Sequence, residues 1–114
     1  MADALRNEVG IDLDGQTRTM RATFASIRGI ERDLKTNLVP LIEKLGRGDV
    51  GIEQAAVIVF HGLRGFGDTE LNLDQVGEAI LKTGLGSVMM PVVEFLSQAM
   101  QGVTLGKPQE AAPV

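Results

Sequence analysis

The chain has no cysteine, no tryptophan, no tyrosine and a single histidine. Without cysteine there is neither a disulfide framework nor a thiolate metal site, which fits a reducing cytoplasm. One histidine, His61, has no second His or Cys to share a metal and no positioned partner for acid–base work, so it reads as a structural side chain. Long apolar runs are missing too. The longest, "AAVIVF" at 55–60, is far short of a membrane span, and the opening "MADALRNEVG" lacks the apolar core of a signal peptide.

Clustered positive charge is also scarce. Through Gly48 there are 8 Lys/Arg and 7 Asp/Glu; from Asp49 onward, 3 basic residues face 8 acidic ones. Arg18, Arg21, Arg28, Arg32 and Lys35 are interleaved with acids, which disfavours a nucleic-acid partner. The acidic second half would suit a basic protein partner.

Motif readings dissolve on inspection. "DLDG" at 12–15 looks like the start of a calcium loop, but its twelfth position is Thr23 rather than Glu, and strands flank it. The glycine runs "LGRGDVG", "RGFGD" and "GLG" follow no parallel strand and so are not phosphate cradles. Ser26, Ser87 and Ser97 have no nucleophile setting. The residues define no catalytic, metal or cofactor site.

What is present is periodicity. Val9, Ile11 and Leu13 alternate with polar residues, Asp14-Gly15 is a turn signal, and Met20 and Ala22 alternate with Thr19 and Arg21. A β-hairpin follows. Thr23 is the predicted cap of a first helix to about Lys35, with Phe24, Ile27, Ile30 and Leu34 as its buried stripe. Asn37 is predicted to cap a second helix ending at Gly46, with Leu38, Leu41, Ile42 and Leu45 inward. Ile52 to Arg64 forms a central helix, and "GFGD" ends it. Asn72 and Gln75 make a capping box for a fourth helix, with Val76 and Ile80 inward. Ser87 is predicted to cap a fifth, with Val88, Val92, Phe95, Leu96, Ala99 and Met100 facing the core. The expected class is α+β: an N-terminal antiparallel β-hairpin packed against four to five short helices. Residues 1–6 and 104–114 are expected to be flexible, around one domain at 7–103.

With no reaction chemistry, function falls to surfaces. Met89, Met90, Val93 and Phe95 give the last helix more apolar surface than one buried face requires, and methionine adapts to varied apolar partners. Thr17, Thr19 and Arg21 lie on the hairpin strand that a partner strand, or a second copy, could reach.

The order of landmarks, "GIDLDGQTRTMRATFASIRGIERDL" followed by "LVPLIEKLGRGDVGIEQAAVIVFHGLRG", resembles the small tail-assembly proteins of gene transfer agents and related siphophage tail-assembly chaperones, a family also labelled tail tube proteins. The resemblance covers about 7–103 and carries no catalytic residues. It implies a non-enzymatic assembly chaperone, in the host cytoplasm, that binds the tape-measure protein while tail tube subunits assemble. Such a chaperone is absent from the mature particle. The alternative is a structural tail component retained there, and a small prophage regulatory protein is a third reading that the charge pattern disfavours. Homo-oligomerisation is a further expectation; a cofactor, nucleic acid or membrane is not expected.

Overall fold

The computed structural model describes Asp3 and residues 7–102. Its elements are strands β1 (Glu8–Leu13) and β2 (Gln16–Arg21), then helices α1 (Phe24–Leu34), α2 (Leu38–Gly46), α3 (Ile52–Phe66), α4 (Leu73–Thr83) and α5 (Leu85–Gln101). This is the expected α+β arrangement of hairpin and five helices. The mobility expected at 1, 2, 4–6 and 104–114 lies outside the described residues; Asp3 is hydrogen-bonded to Glu8.

The hairpin closes through Asp14 (φ 52°) and Gly15 (φ 81°), the pair of left-handed residues that a two-residue turn matched to strand twist requires. Val9 pairs with Met20, Ile11 with Arg18 and Leu13 with Gln16. The inner face of β1 is thus wholly apolar, whereas β2 gives the core Met20 alone and turns Arg18 along the same face.

Thr23 caps α1 reciprocally with Ser26: Ser26 N donates to Thr23 Oγ1 at 3.0 Å and Thr23 N to Ser26 Oγ at 2.8 Å. The buried face is Ser26, Gly29 and Ile30, and Phe24, expected inside, is 78% exposed. The reason lies in α3. A Cβ at Gly29 would meet the His61 ring at 2.5 Å, and one at Gly65 would run into the Arg21 carbonyl and approach Ser26. Glycine lets α1, α3 and the end of β2 come this close, and that approach rotates Phe24 outward.

Asn37 stands at the start of α2 without a side-chain cap; Glu31 Oε2 reaches across from α1 and accepts from Leu38 N at 2.8 Å. Gly46 remains helical, and the positive φ falls two residues later at Gly48 (73°). The apolar helix α3 is central, lying against β2, α1, α4 and α5. Its end is Gly67, φ 102°. The predicted box of Asn72 and Gln75 opens α4.

Between α4 and α5 the chain bends by 120° at Gly84, whose φ of 102° suits glycine. The direct reversal starts α5 at Leu85, so Ser87 sits inside the first turn rather than capping it. Pro91 consequently lies within the helix, where it cannot donate a backbone hydrogen bond. Val88, Val92, Phe95 and Leu96 are buried as expected; Ala99 is half-buried, and Met100, near the helix end, is exposed. One apolar cluster joins β1, Met20 and all five helices. Among the described residues no single helix is long and apolar enough to cross a membrane.

Candidate functional site

The polar side chains that could carry chemistry tie elements together. His61 Nε2 lies 2.7 Å from Asp33 Oδ2, with its ring against Gly29 and edge-on to Phe60. This hydrogen bond, joined by one from Arg32, holds the Asp33 carboxyl below the usual carboxylate range. The pair fastens α1 to α3.

A second link anchors the hairpin. Arg18 Nη1 donates to Asp68 at 2.8 Å and Nη2 to Glu70 at 2.9 Å, with the guanidinium mostly covered. Burial opposes its charge, but the bonds to Asp68 and then Glu70 outweigh that and raise its pKa above the usual arginine value. At the hairpin tip, Asp14 N donates to Thr83 Oγ1 at 2.7 Å. Among the described residues, no group of three or more His, Asp or Glu could hold a metal ion.

The side chains expected to meet a partner separate into three groups. Met90 is 74% exposed, and Met89 and Val93 are half-buried against the core. Phe95 is fully buried and belongs to the core, which corrects its expected place on a partner surface. Val88, Val92, Phe95 and Leu96 occupy one α5 face at spacings of four, three and one, so Phe95 follows the buried stripe.

On β2, the bond from Ala22 N to Asn7 O fixes the phase of the ladder. Strict alternation then turns the backbone N–H and C=O of Thr17 and Thr19 away from β1. Arg21 is already engaged: its Nη2 donates to Glu8 at 2.8 Å and its carbonyl accepts from Ser26 Oγ at 3.3 Å. The strand edge open to a partner therefore reduces to Thr17 and Thr19.

Sequence reasoning missed a groove of about 420 Å³ between the first turns of α3 and α4. Ile52, Ala56, Leu73 and Gly77 form its apolar walls and floor, and Glu53, Asp74 and Glu78 rim it. Among the described residues these carboxylates have no cationic partner. The signal that could have revealed it is the four-residue spacing of Leu73, Gly77 and Leu81 beside Asp74 and Glu78, which places an apolar stripe and two like charges on neighbouring lines of one helix.

A family model described as "phage tail tube protein, GTA-gp10" matches residues 6–102. No curated protein and no solved structure matches the chain.

Proposed function

The chain belongs to the phage tail tube protein family described as GTA-gp10, and from that premise we propose that it is a structural component of a phage-type tail, retained in the particle and acting without catalysis. The observation that carries this reading is the family match, which runs through the hairpin and all five helices. The geometry is compatible with it. The histidine and the mostly covered Arg18 hold elements together, leaving exposed apolar and charged faces for contact with other tail proteins.

A second reading is the assembly chaperone that coats the tape-measure protein in the host cytoplasm and leaves before the particle is complete. Met90 favours it. A highly exposed, flexible methionine beside half-buried Met89 and Val93 suits a weak contact that can be remade on different apolar partners.

Purified particles separate the two. A retained component is present there in fixed ratio to the other tail proteins, as quantitative mass spectrometry would read. A chaperone is absent from particles, and co-expression makes the tape-measure protein soluble and co-purifies with it. Absence from particles would overturn the structural reading.

A further inference from the structure

Two exposed helix faces of this chain are complementary to one another. On α1, Phe24, Arg28 and Arg32 recur every four residues and so form one stripe. Phe24 projects into solvent with the Arg28 guanidinium 5.5 Å above its ring, and among the described residues Arg28 has no carboxylate partner. Arg32 pairs only with the adjacent, exposed Asp33. Arg28 and Arg32 are thus like charges one turn apart, an arrangement mildly unfavourable within a single chain.

The groove between α3 and α4 presents the inverse pattern. Leu73, Gly77 and Leu81 line one side of α4, with Leu81 66% exposed, and Asp74 and Glu78 are again like charges one turn apart. Glu53 and Asp74 have a local reason, since carboxylates favour the first turn of a helix. Glu78, in the second turn, has Lys82 one turn further along α4, but that ammonium lies 3.8 Å from Asp14 at the hairpin tip and, among the described residues, forms no ion pair with Glu78.

Gly77 has no internal reason either. A Cβ there would meet only Ala56 Cβ, at an ordinary 3.9 Å, whereas at Gly29 and Gly65 it would collide. A glycine inside a helix weakens it relative to alanine. At Gly77 the absent side chain keeps the groove floor open.

We infer that α1 of one copy docks in the α3–α4 groove of a second copy. Phe24 fills the space over Gly77, and Arg28 and Arg32 meet Glu78 and Asp74, one turn apart on both helices. An apolar helix face set in a groove with a matching charged rim is a recurrent recognition mode. The two faces differ, so each bound copy leaves one face of each kind free. Such a head-to-tail contact propagates into a ring or a filament. This deepens the reading of the chain as a retained tail component, and rests on that reading only for its setting in the tail.

The absence of native cysteine allows a direct test. Ala25→Cys beside the α1 stripe and Lys82→Cys beside the groove are placed in separate full-length chains of different mass, mixed, and joined with a short bismaleimide. Mixed dimers should exceed either like dimer several-fold, and the excess should shrink in about 500 mM salt, where the exposed charge pairs are screened while the Phe24 contact is not. Adding Glu78→Arg to the Lys82→Cys chain should cut the mixed dimer about tenfold, because like charges then face each other. Adding Arg28→Glu to its Ala25→Cys partner should restore it, which a misfolded variant could not do. Gly77→Leu should abolish it while circular dichroism stays unchanged.

Like dimers equal to mixed ones, or no effect of Glu78→Arg, would overturn the inference. Particle composition decides the tail-component reading separately. Cross-linking that behaves as described, in a protein absent from particles, would uphold the contact and reject the setting.

Discussion

Gly29 and Gly77 sit near the middles of two helices of equal length, α1 and α4, and the same substitution at each should change stability in opposite directions. At Gly29 a new Cβ would lie 2.5 Å from His61 Cε1 and 2.6 Å from Nδ1. The ring must retreat by about 1 Å to restore ordinary contact. Phe60 lies beside it, and the retreat strains the 2.7 Å bond to Asp33. Overpacking costs about 1–3 kcal/mol and a weakened hydrogen bond about 1 kcal/mol, against a gain of about 1 kcal/mol from better helix propensity. Gly29→Ala is therefore expected to destabilise by about 1–3 kcal/mol. Gly77→Ala meets only Ala56, at 3.9 Å, and should stabilise by about 0.5–1 kcal/mol. The chain has neither Trp nor Tyr, so urea unfolding followed by far-ultraviolet circular dichroism is the suitable assay. The midpoints should move in opposite directions at constant slope. The mechanism is tested by a cycle: in a His61→Ala background the space is vacated, and Gly29→Ala should become neutral or stabilising, a coupling of at least about 1 kcal/mol. A Gly29→Ala effect that ignores the His61 deletion would refute the steric account.

Three further outcomes follow from the same geometry. Arg18→Met should lower stability by about 1–3 kcal/mol, seen as a lower melting temperature, because it leaves Asp68 half-buried without its cation. Arg18→Lys should not restore it, since one ammonium cannot reproduce two bonds made from separate guanidinium nitrogens to two carboxylates. The folded-state pKa of Asp33 is depressed, so its stabilisation is present above the ordinary carboxylate range and lost as pH falls through the lowered value. The stability gap between the natural protein and Asp33→Asn should accordingly shrink on acidification; exposure of Asp33 keeps the gap small and salt-sensitive. Phe95→Ala should cost about 3–5 kcal/mol, against a change within about 0.5 kcal/mol for Met90→Ala. A binding defect in Met90→Ala then reports on contact, whereas one in Phe95→Ala reports on folding.

The local signals were legible in the residues themselves. Asp14-Gly15 specified the hairpin because few other pairs adopt two left-handed conformations in succession. Thr23 and the Asn72–Gln75 pair specified helix starts because their side chains satisfy amides only three residues away. The stripe of α5 likewise identified Val88, Val92, Phe95 and Leu96 as core, since a fixed helical period aligns them whatever lies opposite. Tertiary contact decided what depends on distant chain. Phe24 turned outward because Gly29 and Gly65 admit His61 and β2 more closely than any larger residue would. Glu31 displaced Asn37 as the cap of α2 because α1 ends beside it. The groove at Gly77 arises where two helix starts meet, 25 residues of chain intervening between Ile52 and Glu78. Periodicity reports which face of a helix is apolar; only packing decides which of those apolar residues finds a neighbour.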